Sequence, residues 1–469
     1  MSEKKEEKEK AAMPTNRIAG MARNCAQIII EAMAQSLLGH RPADGCLREI
    51  CRNNHQLGSR DRRVISETLF SLLRWWGWLQ KLAPEKFVKA WQNGVAASDD
   101  AWRTATPWPW YLCMSAAWIL ETRFQLPPAV MFWLREAGLY PELFENFSTD
   151  TPIRERRKFL RPFFKDGEMP PLTLEELLPT WVSEEIAPEE KVDYAQLVEW
   201  FQKRPPVWVR AQSNDVSGFV ATLHKQSEGA IKPLPHAVLP HAFCVKNAAA
   251  NFRGMPAFKD GLFEVQDLAS QAVAFVCAPK PGEQWWDACA GGGGKTLHLA
   301  QLMHNRGTIL ATDLRANKLE EIKLRARRGG FCNIRMKEWN GKSGAEYRER
   351  FDGVLVDTPC SCSGTWRRTP DGRWNTSREK IAEFAALQLQ ILSAASEAVK
   401  HGGKLVYSTC SMFRRENQGV VEAFLATHPD FILLPHPNPL TAQSADGMTQ
   451  IWPWTDDCDA MFTALLARR

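Results

Sequence analysis

The sequence predicts an α/β protein: a doubly wound parallel sheet in the C-terminal half, preceded by an all-α bundle and a small α+β connector module. Three observations predict it. From about Phe263, short apolar runs alternate with helical patterns. Four consecutive glycines, Gly291–Gly294, separate one such run from a helix. Upstream, from Arg17 to about Leu139, apolar residues recur at helical spacing.

The elements follow in order. Residues 1–16 open with MSEKKEEKEK and read as a disordered, solvated tail. Residues 17–140 read as a bundle of five to seven helices. Cys25, Ile28, Ile29, Met33 and Leu37 share one face, and Ile65, Leu69, Leu72 and Leu73 share another. Pro107, Pro109 and the pair Pro127–Pro128 break the helical pattern. Trp75, Trp76 and Trp78 are most simply bundle packing. Residues 141–262 form an acidic, proline-punctuated connector with a helical patch at Tyr194–Phe201, a strand at Val207–Arg210 and a helix at Gly218–Lys225. Residues 263–469 carry the alternating pattern. Trp285–Ala288, Gly307–Thr312, Phe351–Val356 and Lys404–Tyr407 read as strands; Lys295–Met303, Ala316–Arg328 and Ile381–Val399 read as helices.

Composition narrows the class. Of 469 residues, 44% are hydrophobic and 24% charged, which excludes a disordered chain, a collagen-like fibre and a coiled coil. The longest nearly unbroken apolar stretch, Trp108–Leu120, has 13 residues, too few to span a membrane. The charged N-terminus lacks the apolar core of a secretory signal, which points to the cytoplasm. In that reducing compartment the 12 cysteines are expected as free thiols. Net charge is +5 overall, and −4 across residues 141–240, so two basic ends flank an acidic middle. A mildly basic chain is compatible with nucleic acid. Nothing in the sequence calls for an obligate oligomer, so a monomer is expected.

Four motifs carry chemistry. The first, DACAGGGGKT at Asp287–Thr296, joins a strand to a helix, where glycines admit a ligand and the helix N-terminus offers free N–H groups. It is not a phosphate-binding P-loop, because Cys289 stands where that motif needs glycine. The second, Asp313, follows Gly291 by 22 residues at the end of the next strand, the place of a ribose-binding carboxylate. It could equally cap the helix Ala316–Arg328. The third and fourth are VDTPCSCSGTWRR at Val356–Arg368 and YSTCS at Tyr407–Ser411, both at strand ends. If these strands are neighbours, Cys360 and Cys410 face one pocket beside the glycine loop. The alternatives are two inert buried cysteines, or a zinc site at Cys360–Cys362, which lacks a second ligand pair. No histidine falls in any of these motifs, and no metal is expected.

On these motifs the chain resembles the Sun/Fmu family of RNA cytosine-5 methyltransferases. The family's D-A-C-A-G-P-G-G-K-T loop appears with Gly292 in place of proline. Its D-x-P-C-S-G segment appears as Asp357–Ser361 with Cys362 in place of glycine. Its S-T-C-S segment is intact at Ser408–Ser411. Val265–Ser270 and Asp459–Phe462 are similar to further family segments, and Leu57–Leu79 resembles the NusB-like helical domain of some members. The resemblance covers roughly residues 204–469, and the helical stretch more weakly.

The resemblance implies a Rossmann-like domain that binds S-adenosylmethionine. The cofactor would lie on Cys289, Ala290, Gly291, Gly292, Gly293, Gly294 and Lys295, with Asp313 at the ribose and Asp357 nearby. Asn340 stands where the family has an adenine-binding Asp. Cys410 would attack C6 of cytosine, Cys360 would assist release of the product, and Asp357 would bond the base near N3. Lys295 would lie near cofactor and base and lower a thiol's pKa. Ribosomal RNA, or a ribosomal subunit, is the expected partner, with transfer RNA second. Trp366, Arg367, Arg368 and Arg373, with Trp374, are candidate RNA contacts; the alternative packs the tryptophans beneath their loop. Arg60, Arg62, Arg63 and Arg74 are candidates in the helical part. A non-catalytic, rRNA-binding assembly factor is the contrasting reading, motivated by Gly292, Asn340 and Cys362. A DNA methyltransferase would have no need of Cys410.

Overall fold

The computed structural model describes residues 15–95, 107–121, 126–144, 147–148, 150–213, 215–246, 251–342 and 344–469. The expected tail, residues 1–16, lies almost wholly outside them. The chain forms two compact units, not the three consecutive modules read from composition. The first comprises Met1–Ser183, Val192–Lys203 and Trp366–Asn375; the second comprises Glu184–Lys191, Arg204–Thr365 and Thr376–Arg469. The connector is therefore divided between them.

The first unit is helical: α1 (Thr15–Leu37), α2 (Ala43–Asn53), α3 (Ser59–Leu79), α4 (Glu85–Gln92), α5 (Pro107–Leu120), α6 (Pro128–Glu136) and α7 (Tyr194–Gln202). The α3 helix starts at Gly58, whose N–H donates to the Asp61 carboxylate at 3.0 Å. It buries Ile65, Leu69, Leu72 and Leu73 together with Trp75, Trp76 and Trp78. The Trp76 ring stacks near Trp110 and meets Phe87 edge-on. Pro107, Pro109 and Pro128 do not interrupt helices. They lie in the first turns of α5 and α6, where a missing N–H costs nothing.

The second unit contains two main sheets. A four-stranded antiparallel sheet has the order β2 (Leu234–Pro235), β3 (Ala242–Val245), β1 (Val207–Ala211), β4 (Phe263–Val265). Helix α8 (Val216–Gln226) contributes Phe219 and Leu223 to its core, with Val209, Phe243 and Phe263.

The larger sheet runs β10 (Phe431–Leu433), β14 (Met461–Arg468), β9 (Val399–Thr409), β8 (Phe351–Asp357), β5 (Gln284–Asp287), β6 (Thr308–Asp313), β7 (Ile334–Glu338). β11 (His436–Pro437) and β12 (Ser444–Ala445) pair separately, and β13 (Met448–Ile451) pairs with β14. Strands β7-β6-β5-β8-β9 are parallel, and β14 is antiparallel to β9. Helices α9 (Leu268–Cys277), α10 (Gly294–Leu302), α11 (Ala316–Arg328), α12 (Arg378–Ser396) and α13 (Gln418–Thr427) alternate with its strands. One apolar cluster holds Leu268, Val273, Trp285 and Leu297; another holds Trp286, Val354, Leu392 and Phe424. This is a Rossmann-like doubly wound fold with one antiparallel margin. Chain order reverses on either side of β5, which places the switch point between β5 and β8. Among the described residues, no helix is long and apolar enough to cross a membrane.

Candidate active site

The site lies at the carboxyl ends of β5, β6, β8 and β9. The β5 strand ends at Asp287, and the chain then turns through the glycines into α10. The Ala288 N–H donates to Leu355 O and the Ala290 N–H to Thr312 O, which pins the turn to both neighbouring strands. Gly293 closes it with φ +82°, and a Cβ there would lie 2.8 Å from Ile322 Cγ1. Gly292 is compensated by Arg325, which donates to its carbonyl and pairs with buried Glu264 at 3.0 Å. Asp287, 1% exposed, accepts from Thr296 Oγ1 at 2.6 Å, and burial raises its carboxyl to about 7.

Asp313 braces this turn. Its Oδ2 accepts the Gly291 N–H at 3.0 Å, and its Oδ1 accepts the Arg315 N–H at 2.9 Å. Burial works against its charge, but these bonds and the Arg315 guanidinium hold the carboxyl below its ordinary value. It does not cap α11, whose N-cap is Arg315.

Cys289, Asp313, Asn340 and Asp357 line a cavity of about 390 Å³. Leu314, Trp339, Pro359, Leu387 and Ile391 supply its apolar walls. Its volume and mixed lining suit a nucleoside-sized cofactor. Ala290, the four glycines and Lys295 are not among its lining residues; they form the turn and helix start beside it. Asn340 faces solvent, and its Oδ1 accepts the Lys342 N–H at 3.2 Å.

The two thiols meet. β8 and β9 are neighbours, with Asp357 opposite Ser408, so the loops that follow leave the sheet side by side. Cys360 Sγ lies 3.4 Å from Cys410 Sγ. Gly364 permits this approach: its N–H donates to Cys410 O at 2.9 Å, and a Cβ there would lie 2.3 Å from Ala460 O. Lys295 Nζ donates to Asp357 Oδ2 at 2.7 Å. Burial disfavours both charges. Attraction to Asp357 still holds Lys295 above its ordinary value, while burial outweighs Lys295 and raises Asp357. For Cys410, the hydrogen bond from Cys360 favours the thiolate. The Cys362 thiol and burial outweigh it, so Cys410 lies above its ordinary value, with Lys295 pulling the other way.

One residue absent from the motif reading organises the pair. Glu416 is fully buried and accepts from Ser361 N–H at 2.8 Å, Ser361 Oγ at 2.5 Å, Ser411 Oγ at 2.6 Å and Gln388 Nε2 at 3.0 Å. Ser361 and Ser411 each follow a cysteine, so one carboxylate fastens both thiol loops. The repeated Cys-Ser pair was the sequence signal that something recognises both loops.

The expected RNA contacts are corrected. Trp366, Arg367 and Arg373 have no exposed surface, and all three belong to the helical unit. Arg373 donates to the carbonyls of Leu177, Phe201 and Trp366, each at 3.1 Å. Trp374 Nε1 donates to Leu73 O at 2.7 Å. Arg368 is half-buried. Arg74 is likewise buried, bonding Glu121 at 2.9 Å and Arg367 O at 2.7 Å. These guanidiniums donate to backbone carbonyls inside the helical unit, where a buried carbonyl needs a partner.

The family profile of the 16S rRNA methyltransferase RsmB/F matches residues 274–467. The chain is 34% identical to the ribosomal RNA small subunit methyltransferase B of Sodalis glossinidius, over 55% of this chain and 59% of that protein. It is 37% identical to the probable methyltransferase B of Bacillus subtilis, over 48% and 52%. The match thus spans little more than half the length of these two relatives. Against the methyltransferase B of Citrobacter koseri it is 32% identical over 62% of this chain and 67% of that protein. The crystal structure of PH0851 is similar over 97% of this chain and 99% of that one, with 26% identity and a TM-score of 0.72. A methyltransferase homologue from Pyrococcus horikoshii covers 73% of this chain and all of that one, with 25% identity and a TM-score of 0.50. With two thirds of the Citrobacter koseri protein matched, and the profile lying over the sheet that carries both thiols, the chain belongs to the RsmB/F family of 16S rRNA methyltransferases.

Proposed function

We propose that this chain methylates C5 of a cytosine in small-subunit ribosomal RNA through a transient bond between Cys410 and C6 of the base. The observation that carries this reading is the 3.4 Å approach of the Cys360 and Cys410 sulfurs beside the Asp313–Asn340 cavity. One thiol suffices for attack; two in contact suit a cycle of attack and release. The names of the relatives support the substrate class.

The cavity residues fit S-adenosylmethionine, which supplies an electrophilic methyl group when bound. Asp313 is ionised and can take the ribose hydroxyls, and Asn340 stands at the rim for the adenine. C5 of cytosine is a poor nucleophile. When the Cys410 thiolate adds to C6, the ring becomes an enamine whose C5 can accept the methyl. Asp357 would bond the base near N3, and Lys295, held against it at 2.7 Å, would stabilise charge building there. C5 then loses its proton, the sulfur–C6 bond breaks, and Cys360 assists that elimination.

The test is incubation of the full chain with labelled S-adenosylmethionine and either naked rRNA, ribosomal subunits or transfer RNA. The wild type should place label in 5-methylcytosine of rRNA. Cys410→Ala should abolish it. Cys360→Ala should leave a covalent RNA adduct visible on a denaturing gel. Loss of methylation without an adduct in Cys360→Ala would reverse the two roles. Label confined to transfer RNA would change the substrate. No label from the wild type on any RNA would favour a non-catalytic assembly factor.

A further inference from the structure

Cys362 has no part in the reaction proposed above, yet it stands among the reacting groups. The sulfurs of Cys360, Cys362 and Cys410 all lie within 4.8 Å of one another, and those of Cys360 and Cys410 are 3.4 Å apart. An ion bound about 2.3 Å from each of three thiolates needs sulfurs roughly 3.8–4 Å apart, a few tenths of an ångström wider than the Cys360–Cys410 separation and below the 4.8 Å that bounds all three. The sequence spacing Cys360-x-Cys362 offers only two ligands. The third comes from the end of β9, fifty residues on, through the strand pairing.

The backbone explains how a side chain fits at a position where a glycine suits the turn. Cys362 has φ +54°, a left-handed conformation, and its sulfur turns back to within 3.5 Å of Cys360 O. Cys360 is buried, Cys410 half-buried and Cys362 exposed. The cluster is thus closed on the protein side and open to solvent through Cys362, which gives an ion a way in and a fourth position for water. Three thiolates around a divalent cation leave one net negative charge, and the ammonium of Lys295 acts on Cys410 to offset it.

We propose that Cys360, Cys362 and Cys410 form a three-thiolate site for a soft divalent cation of the zinc class, and that filling it silences methyl transfer by tying up both reacting thiols. The inhibitory half rests on the function proposed above; the binding half does not. Binding releases the thiol protons to solvent and involves no change in oxidation state.

The test uses the full chain, stripped of metal by a chelator and kept reduced with a phosphine. Cd²⁺ is titrated while the thiolate-to-metal charge-transfer absorption is followed, and Zn²⁺ is titrated against a chromophoric chelator. One ion per chain is expected in the wild type. Cys362→Gly, which suits the left-handed backbone, should weaken binding by about 100-fold or more. Cys362→Gly should also keep methylating RNA at a Zn²⁺ concentration that cuts the wild-type rate more than tenfold, and a chelator should restore the wild type. Absence of the charge-transfer band in the wild type, or equal affinity in Cys362→Gly, overturns the site. A band lost in Cys362→Gly with no effect of Zn²⁺ on wild-type methylation overturns the inhibitory half alone. A wild type that binds the ion but never methylates RNA sinks the proposed function and leaves the site standing.

Discussion

Gly364 and Glu416 set how closely two thiols can stand. A Cβ at Gly364 would meet Ala460 O at 2.3 Å and Cys410 O at 2.8 Å, both backbone atoms with nowhere to go. Gly364→Ala should therefore displace Cys410 and lower the methylation rate by about 10–100-fold, because a misplacement near 1 Å is enough for that. Cofactor affinity, measured by calorimetry, should change little. Glu416→Ala strands four donors in the interior and should cost about 2–4 kcal/mol in urea unfolding; Glu416→Gln, which keeps acceptor capacity at one oxygen, should lose less. The cysteines were legible in the sequence because their motifs stand at strand ends, where open α/β sheets hold their ligands. Glu416 was not, because it lies outside the motifs and meets Ser361 and Ser411 together only through the pairing of β8 with β9. The tryptophan and arginine of Trp366–Arg367 misled for a related reason. Residue types that stack on bases and grip phosphates also fill gaps and satisfy carbonyls, and only burial separates the two uses.

At the scale of elements, the glycine turn between β5 and α10 is the most exacting piece. Gly293→Ala adds a Cβ at φ +82° and 2.8 Å from Ile322, and should destabilise the second unit by about 1–3 kcal/mol while weakening cofactor binding. Asp287, at the start of this turn, makes it sensitive to pH. Its folded pKa of about 7 exceeds the 3.8 of an ordinary Asp, so its contribution is fully present below about pH 4 and is lost as pH rises through 7. Between pH 6 and pH 8 that loss is about 1.4 kcal/mol. Urea unfolding of the wild type should show it, and Asp287→Asn should flatten the slope in that window. The parallel strands β5, β6, β8 and β9 were legible as apolar runs between helices. β7 was missed because its sequence, IRMKE, carries more charge than apolar surface and leaves its side chains largely exposed. The antiparallel margin of β10, β13 and β14 was missed because no helix separates those strands to mark them as a unit.

On the scale of the molecule, segment Trp366–Asn375 leaves the second unit's sequence and packs as part of the helical one. Arg373 is its anchor, donating to three carbonyls at 3.1 Å with no surface exposed. Arg373→Ala should cost about 3–5 kcal/mol and lower the thermal stability of the full chain, although the residue lies between the two thiol motifs in the sequence. Composition could not reveal this, since nothing in these ten residues declares which core they complete.

The same segment has a consequence for synthesis. A ribosome releases the chain from its N-terminus, and domains usually fold as they emerge. Here the helical unit is unfinished when residue 203 leaves the exit tunnel, for its remaining piece is more than 160 residues away. It must wait, with Leu73, Leu177 and Phe201 lacking their partners, until strands β1 to β8 of the second unit have been made. A fragment ending at Lys203 should bind a hydrophobic dye and yield quickly to protease, and adding residues through Asn375 should protect it. The N-terminal unit of this protein is begun first, yet it can be completed only after Glu184–Lys191 and Arg204–Thr365 of the second unit have been made.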